Sequence, residues 1–279
     1  MNLQEWIEIL EYGHSYRIRI WYDNITPETL KLNFTYRIHN NPLCNYIKTS
    51  PEGMKSCIRC RKCAEWTAAK KGGYIGRCVH GLSEYVQPVY LRGKPAATVF
   101  IGNLVSDFAA AGELLEKSCK RCSLSYEKAR LLLSEAERDF DIEMLKKIAF
   151  AVSELAEEKL NAFSLENKPE FPETVSRLAR ISGDYETPVT LSAAAEKLGY
   201  NQKYLGRLFK KYTGVSFSEY RNRMRLRDAA DLIAGSNIKI IDAALSVGFD
   251  NVTYFNKVFR IQYGMTPSEY RARMIKKRL

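Results

Sequence analysis

A segment repeated near the C-terminus constrains the fold of this chain more than any other feature. The pattern Phe209-x4-Gly214-x3-Ser218-Glu219-Tyr220-Arg221 recurs fifty residues later as Phe259-x4-Gly264-x3-Ser268-Glu269-Tyr270-Arg271. Upstream the correspondence continues at an offset of forty-nine, and it pairs Gly199-Tyr200 with Gly248-Phe249. Self-similarity at such a period indicates that one supersecondary unit is used twice.

Each copy predicts two short helices joined by a glycine turn. Apolar residues recur at i, i+3, i+4 and i+7, and a glycine follows where a helix end favours positive φ. A second apolar stripe comes after the turn. The residues are Leu191, Ala194, Ala195, Leu198, Gly199, then Leu205, Leu208, Phe209 and Tyr212 in the first copy; and Ile240, Ala243, Ala244, Val247, Gly248, then Phe255, Val258 and Phe259 in the second. This pattern predicts a helix-turn-helix motif in each copy. A continuous linker helix over Phe217–Ala234 is expected to join the two units into an all-α domain.

Polar and basic residues occupy the face opposite the second stripe in both copies. They are Lys203, Arg207, Lys210 and Lys211 in the first copy, and Thr253, Asn256, Lys257 and Arg260 in the second. Such side chains on a recognition helix contact base edges and phosphates in the major groove, where Arg207 would suit guanine and Asn256 adenine. A merely solvated helix face would not explain why both copies keep their cations opposite the stripe.

The charge of the chain agrees with a polyanionic partner. Residues 170–279 hold 19 lysines and arginines against 11 aspartates and glutamates, a net charge of +8 out of +11 for the whole chain. Neutralising phosphates releases counterions and favours binding to nucleic acid. Two recognition helices on one rigid chain would enter successive major-groove faces about 34 Å apart.

The region from about Val189 to Arg273 resembles the DNA-binding domain of the AraC/XylS family of bacterial transcription regulators. The resemblance is densest at Gly248-Phe249-x4-Tyr254-Phe255-x3-Phe259-x4-Gly264-Met265-Thr266-Pro267-x2-Tyr270-Arg271. It implies base contacts from residues on the outer faces named above. These are Lys203 and Arg207 in the first helix, and Val252, Thr253, Asn256 and Lys257 in the second. Gly206 stands where a base-reading side chain is common, so the first helix is expected to read fewer bases.

The first part of the chain predicts a separate α+β domain. Proline-rich Glu166–Glu173 indicates a linker, which divides the chain into residues 1–165, a linker at 166–174, and the DNA-binding domain at 175–279. Strands are predicted at Arg17–Tyr22 and Leu30–Ile38, with a hairpin from Glu84–Tyr90 and Ala96–Leu104. Helices are predicted at Pro51–Lys71, Tyr126–Asp139 and about Asp141–Phe163, the last as an ordinary core helix or as a dimerisation or signalling element.

All seven cysteines lie before the linker, and Cys57-x2-Cys60-x2-Cys63 is the tightest group. This spacing resembles a ferredoxin run, and Arg59, Arg61 and Lys62 would offset thiolate charge. The pair Cys119-x2-Cys122 could complete a zinc site. We therefore expect either a metal or Fe–S cluster at Cys57, Cys60, Cys63 and Cys78, or a redox switch. Reduced cysteines that pack as small hydrophobes are the plain alternative.

Residues from about 5 to 160 also resemble the PocR ligand-binding domain. The short matching pieces are Leu43-Cys44-x2-Ile47, Pro51-Glu52-Gly53-x3-Cys57, Arg77-Cys78-Val79-His80-Gly81-Leu82, Val86-x-Pro88-Val89 and Gly102-Asn103-Leu104. The resemblance implies a PAS/GAF-like fold with a pocket for a small organic molecule, simple hydrocarbon derivatives being proposed for the family. The residues expected to bind the ligand are Cys44, Cys78, His80 and Tyr85. Cys60 and Cys63 depart from the family pattern.

These features predict a one-component transcription regulator with no catalytic residues. Its expected partners are double-stranded promoter or operator DNA, a small-molecule effector, RNA polymerase and a second copy in a homodimer. The N-terminus lacks the basic and apolar regions of a signal peptide, and no apolar run reaches membrane-spanning length, so a cytoplasmic location is expected. The alternative is a cysteine-based, methyl-accepting DNA repair protein, although that architecture needs C-x3-C and C-x2-C pairs.

Overall fold

The computed structural model describes residues 2–22, 30, 32, 39, 41–166, 172–182, 189–235 and 237–276. The chain divides into two units, the first built mainly from Met1–Glu166 and the second from Asn167–Ala234 and Lys239–Leu279. No helix among the described residues combines the length and apolar character needed to cross a bilayer.

An antiparallel sheet organises the first unit. Within the described residues its strands are β1 (Arg17–Tyr22), β2 (Tyr74–Arg77), β3 (Ser83–Leu91) and β4 (Lys94–Leu104), in the order β1-β4-β3-β2. The β3–β4 hairpin turns at Arg92 and Gly93, which both take positive φ, and this confirms the predicted hairpin. The expected strand at Leu30–Ile38 lies almost entirely outside the described residues. The PAS/GAF-like class stays a prediction.

Helices cover both faces of this sheet. They are α1 (Leu3–Glu11), α2 (Pro42–Ile47), α3 (Pro51–Lys71), α4 (Phe108–Cys122), α5 (Tyr126–Leu133) and α6 (Ile142–Glu166). One face packs Ile18, Ile20, Val99 and Ile101 against α1 and α6. The opposite face packs Trp21, Val86 and Phe100 against Ala68 of α3. The sheet therefore separates two different interiors, and alternate residues of one strand belong to opposite sides.

Two predicted helices differ from those observed at their ends. The helix expected at Tyr126–Asp139 ends at Leu133, because the Glu137 backbone pairs with the end of β4 instead. The Glu137 N–H donates to the Asn103 carbonyl at 2.8 Å, and the Val105 N–H donates to the Glu137 carbonyl at 2.8 Å. The long helix α6 continues to Glu166, into the predicted linker, and 167–171 lie outside the described residues.

All regular secondary structure among the described residues of the second unit is helical. Its helices are α7 (Glu173–Ser182), α8 (Leu191–Leu198), α9 (Gln202–Thr213), α10 (Phe217–Gly235), α11 (Ile240–Ser246), α12 (Val252–Tyr263) and α13 (Pro267–Lys276). The turns after α8 and α11 use Gly199 and Gly248, with φ of 72° and 84°. Both turns are closed in the same way, by Tyr200 N–H on the Ala195 carbonyl and Phe249 N–H on the Ala244 carbonyl. The predicted pair of helix-turn-helix units and their joining helix are confirmed.

Candidate DNA interface and sensor site

Helices α9 and α12 begin with the same asparagine cap. The Asn201 side-chain oxygen accepts hydrogen bonds from the N–H groups of Lys203 at 2.9 Å and Tyr204 at 3.3 Å. Asn251 accepts from the Tyr254 N–H at 2.8 Å. A capped start satisfies N–H groups that lack partners inside the helix and fixes where the helix begins. Fixing the first residue of each helix also fixes which of its side chains face outward.

Buried aromatic residues hold these two helices against their units. Phe209 and Phe255 are fully buried, as is Phe259. Phe209 meets Phe217 and Tyr220 edge-on, and Phe259 meets Tyr270 in the same manner. Because the apolar side of each helix packs into the core of its unit, the opposite side faces solvent. The residues exposed there are Lys203, Arg207, Lys210, Thr253, Asn256, Lys257 and Arg260, with Val252 half-buried.

Helix α10 is bonded to both helix-turn-helix units. Arg221 donates from its guanidinium to the Val189 carbonyl at 3.0 Å, just before α8. Asn222 donates to the Tyr254 hydroxyl at 3.0 Å, on the recognition helix of the second unit. The Arg271 Nε of α13 donates to the Ile233 carbonyl at 3.2 Å. Since bonds from one helix reach both units, α9 and α12 are held on a common support.

The two recognition helices differ at equivalent positions, Gly206 and Asn256. A Cβ placed on Gly206 would lie 3.0 Å from Leu191 Cδ2, so this glycine lets α9 approach α8 closely. Asn256 is exposed and lies with Lys257, Arg260 and Thr266 around an open depression of about 550 Å³. At this position α9 packs closely against α8, whereas α12 has an amide side chain exposed to solvent.

In the first unit, the carboxyl group of Glu84 lies on the α3 side of the sheet in a buried position. The pairing of β3 with β4 shifts between Ser83 and Tyr85, and Asn103 takes a positive φ of 71° there. Such a bulge re-aims nearby side chains. Gly102 on the adjoining strand leaves room, because a Cβ there would lie 3.1 Å from the Glu84 carboxylate. Burial raises the pKa of Glu84 to about 7, and the positive charge of Lys48 opposes that rise.

His39 is the direct partner of Glu84. Its Nδ1 lies 3.0 Å from a Glu84 carboxylate oxygen, and its ring meets Phe100 edge-on at 5.1 Å. Lys48 donates to the His39 backbone carbonyl. Burial, assisted by the charges of Lys48, Arg61 and Arg19, holds the pKa of His39 well below its ordinary value. The lowered pKa favours a neutral imidazole beside the Glu84 carboxyl group.

Three thiols lie near the same carboxylate and are held protonated. Burial raises the pKa of Cys44 to about 12 and that of Cys60 to about 11, and it raises the pKa of Cys78 well above its usual value. The charge of Glu84 adds to each rise. We call Glu84, His39, Cys44, Cys60 and Cys78 the Glu84 cluster. Since the thiolate is the reactive and metal-binding form, these thiols are poor nucleophiles as they stand.

His80 belongs to a separate buried hydrogen-bond chain. Ser56 donates its hydroxyl proton to the Gly53 carbonyl at 2.9 Å, so its oxygen accepts from His80 Nε2–H at 3.2 Å. Nδ1 is then an acceptor and takes the Ser118 hydroxyl proton at 2.6 Å. The network thus assigns the neutral Nε2–H tautomer. Burial lowers the pKa of His80 to about 4, with smaller contributions from Arg121 and Lys48.

Comparison with known proteins identifies the domains that carry both candidate sites. Residues 24–164 match the sensory domain found in PocR, which is about half of the chain. Residues 194–273 match a helix-turn-helix domain. The chain belongs to the AraC family of transcription regulators and carries a PocR sensory domain.

Some relatives of this regulator cover most of its length, and others cover only its helix-turn-helix domain, which we call the reader. The regulatory protein PocR of Salmonella typhimurium is 25% identical over 249 residues, which is 82% of each chain. The transcriptional activator AarP of Providencia stuartii is 35% identical over 94 residues, 34% of this chain and 70% of that one. A crystal structure of a DNA-binding transcriptional dual regulator from Escherichia coli K-12 covers 39% of this chain and 99% of its own. It has 29% identity and a TM-score of 0.35.

The structure places the residues predicted for DNA contact on two equivalent surfaces. All of them except half-buried Val252 are exposed on α9 or α12, and the helix-turn-helix match spans both helices. Their individual contacts with bases or phosphates stay predictions. The asparagine caps at Asn201 and Asn251 could have been found from the repeat, since asparagine just before a predicted helix is a start signal.

The residues predicted for ligand binding do not converge on one place. Cys44 and Cys78 lie in the Glu84 cluster, whereas both ring nitrogens of His80 are already bonded to Ser56 and Ser118. Tyr85 faces the opposite side of the sheet, in the core that packs on α6. Strand alternation separates Tyr85 from its neighbour Glu84. The ligand-binding roles of these four residues stay predictions.

The structure gives no support to the expected metal centre. Cys57, Cys60 and Cys63 lie on the unbroken helix α3, where successive thiols at this spacing diverge by about 60°. In the part of the chain that is described, no group of three or more His, Cys, Asp or Glu side chains is placed to hold a metal ion. Cys119 and Cys122 are buried in α4, and Cys119 packs with Leu115 and Ala129 as a small hydrophobe.

Glu84 and His39, the two central groups of the candidate sensor site, were not among the residues predicted from the sequence. One signal was present for Glu84, since it is the charged residue on the strand face that otherwise holds Val86 and Pro88. A charged side chain on a buried strand face is unfavourable unless it has a polar partner, so such a residue predicts one. No local pattern indicates His39, which reaches Glu84 through the fold.

Proposed function

We propose that this regulator binds operator DNA through α9 and α12 and changes that affinity when a small organic effector binds its PocR domain. The observation that carries the DNA part is the pair of exposed polar faces on two capped helices bonded to one support, α10. Membership of the AraC family supports double-stranded DNA as the partner. A homodimer, contact with RNA polymerase and a cytoplasmic location belong to the same proposal.

Selection from a random DNA pool tests this reading. We expect the full-length protein to enrich a defined sequence, and the affinity for it to fall steeply with salt because phosphate contacts release counterions. Lys210→Ala should reduce the slope of log K against log salt by about 1 and weaken all sequences alike. Enrichment of no sequence, or binding that is independent of salt, would contradict the proposal.

The effector is proposed to meet the Glu84 cluster, between the sheet and the helices α2 and α3. Support comes from a carboxyl group, an imidazole and three thiols brought together by five different segments: residue 39, α2, α3, residue 78 and β3. A ligand that binds one of two states better shifts their populations, and this couples the sensor to DNA affinity. The expected effector is small and organic, because the thiols are protonated and do not converge as metal ligands do.

Adjacent residues on opposite faces of β3 provide a matched pair for testing the effector site. Short-chain alcohols, aldehydes and carboxylic acids serve as probes, and the readout is a shift in the melting temperature of the full chain. Glu84→Gln should abolish the shift given by any active probe, whereas Tyr85→Phe should retain it. Retention by Glu84→Gln together with loss by Tyr85→Phe would place the effector on the other side of the sheet.

A metal or Fe–S cluster at Cys57, Cys60, Cys63 and Cys78 remains the alternative signal. Anaerobic purification with metal analysis and an absorption spectrum tests it, since bound iron with sulfide would indicate a cluster and zinc alone a structural site. The methyl-accepting repair function is disfavoured by the raised pKa of the buried thiols. Mass measurement after incubation with methyl-phosphotriester DNA should show no methylated cysteine.

A further inference from the structure

Both helix-turn-helix units carry an aromatic pair at the turn and the start of the recognition helix. In the first unit Tyr200 stacks on Tyr204, with ring centroids 6.0 Å apart. In the second unit the equivalent residues, Phe249 and Tyr254, have ring centroids 6.2 Å apart. Tyr204 and Tyr254 each leave nearly half of their surface to solvent. The two pairs are alike, so the contacts that support them can be compared directly.

Each pair is hydrogen-bonded to the helix that precedes its unit. The Tyr200 hydroxyl lies 3.3 Å from the Thr174 hydroxyl of α7. In the second unit the side-chain amide of Asn222 on α10 donates to the Tyr254 hydroxyl at 3.0 Å. Thr174 and Asn222 are separated by nearly the same interval as the repeated segments. The repeated architecture therefore includes a supporting helix, which is α7 for the first unit and α10 for the second.

The two supporting helices differ in what they connect. Helix α7 packs Leu178 into the same core as Phe209, so the bond from Thr174 stays within the first unit. Helix α10 also packs into the first unit, because Phe217 near its start meets Phe209 edge-on at 5.6 Å. The bond from Asn222 therefore runs from a helix anchored in the first unit to the recognition helix of the second. It is a direct link between the two units.

A second contact lies beside this bond. Arg225 follows Asn222 by three residues on the same side of α10, and its guanidinium lies 5.7 Å from the centre of the Phe249 ring. Helix α10 thus meets both rings of the second aromatic pair. A ring contact tolerates sliding, whereas a hydrogen bond weakens steeply when it is bent. The bond to Tyr254 is therefore the contact that most restricts rotation of α12 relative to α10.

We propose that the Asn222–Tyr254 hydrogen bond is a positioning contact that sets the separation between the DNA subsites of α9 and α12. The inference rests on the proposed DNA function and adds a specificity determinant outside the base-reading residues. Each base pair inserted between the subsites moves one from the other by about 3.4 Å and turns it by about 35°. Helix α12 can follow this displacement only by breaking the bond. The intact protein should therefore accept one spacing.

Spacing variants of the selected DNA sequence test the proposal with the full-length protein. Insertion or removal of one base pair between the subsites should weaken wild-type binding by about tenfold or more, because one helix loses its base contacts. Asn222→Ala and Tyr254→Phe each remove one partner of the bond. Each should shrink this penalty by about threefold, which is within the range for one hydrogen bond. The double variant should match the single variants, because all three lack the same bond.

Tyr204→Phe is the matched control, since it removes the equivalent hydroxyl of the first unit and should keep the full wild-type penalty. Thermal melts of all variants should resemble wild type, because Asn222 is half-buried and Tyr254→Phe keeps its ring.

Three results would overturn the positioning role. They are a full spacing penalty in Asn222→Ala, a double variant whose change is the sum of the singles, and a Tyr254→Phe loss that is equal at every spacing. The last result would assign the Tyr254 hydroxyl to a DNA phosphate. A wild-type protein that binds its selected sequence without any spacing preference would also refute this role alone. Enrichment of no sequence by the wild type would instead refute the proposed DNA function, so the two failures are distinguishable.

Discussion

The two units of this regulator keep their candidate functional groups in opposite environments. In the reader, lysine, arginine and asparagine side chains stand in solvent on helices whose apolar sides are fully buried. In the sensor, Glu84 and His80 are buried, His39 and three thiols are half-buried, and the loss of solvent displaces the pKa value of each. A surface of exposed cations suits a large polyanion, whereas a buried polar cluster suits a molecule small enough to be enclosed. Perturbing each unit separately should expose this difference.

The largest effect should come from the aromatic core of the reader. Phe259→Ala removes a fully buried ring that contacts Phe255 and Tyr270. The free energy of unfolding of this unit should fall by about 3–5 kcal/mol. Thermal unfolding followed by circular dichroism should show an early helical transition, while the near-ultraviolet signal of the sensor tryptophans is unchanged. A single transition shifted for all probes would mean that the two units do not unfold separately.

The sensor should respond to pH through His80. The folded pKa of His80 is about 4 and the ordinary value is 6.5. Between these values the unfolded chain binds the proton, so stability is lost as pH falls from about 6.5 towards 4, by up to about 3 kcal/mol. Glu84 has the opposite effect on the pH dependence of stability. Its pKa is raised from 4.5 to about 7, so the folded chain binds the proton more tightly and stability is lost as pH rises between these values.

Variants of these two groups should therefore have pH slopes of opposite sign relative to wild type. Denaturant unfolding between pH 4.5 and 6.5 should show stability that rises more steeply with pH in Glu84→Gln. In His80→Gln, stability should instead fall with pH relative to wild type. Slopes of the same sign in the two variants would refute the buried assignment of at least one group.

The smallest of these effects, and the most specific, should come from Asn256. Asn256→Ala removes an exposed amide that we expect to bond an adenine edge, so affinity for the selected sequence should fall by about 1–3 kcal/mol. Thermal stability should be unchanged, since the side chain is in solvent. Lys197→Ala, an exposed lysine of α8 outside the reading face, is the control. Gly206→Ala, at the equivalent position of α9, should lower DNA affinity less than Asn256→Ala does. An equal loss of affinity in the two variants would contradict the proposed difference between the two helices.

The reader could be predicted from the sequence, and the sensor site could not, for a physical reason. Helical stripes such as Leu205 with Phe209 are local, and the outer face follows directly from their spacing. The Glu84 cluster joins β3, α2, α3, residue 39 and residue 78, so its composition depends on strand register and on a bulge at Asn103. The end of α5 shows the same limit, because Glu137 leaves the helix to pair with β4. The helix that carries Cys57, Cys60 and Cys63 was predicted correctly at Pro51–Lys71, because its signals are local.

The central claim is that the outer faces of α9 and α12 read operator DNA, and one double variant tests it most directly. Arg207→Ala combined with Lys257→Ala removes one exposed cation from each helix and leaves both cores intact. Binding of the full-length protein to its selected sequence, measured at fixed salt, should weaken by about 30-fold or more. A thermal melt should match wild type. Unchanged affinity for the selected sequence would show that α9 and α12 are not the recognition helices.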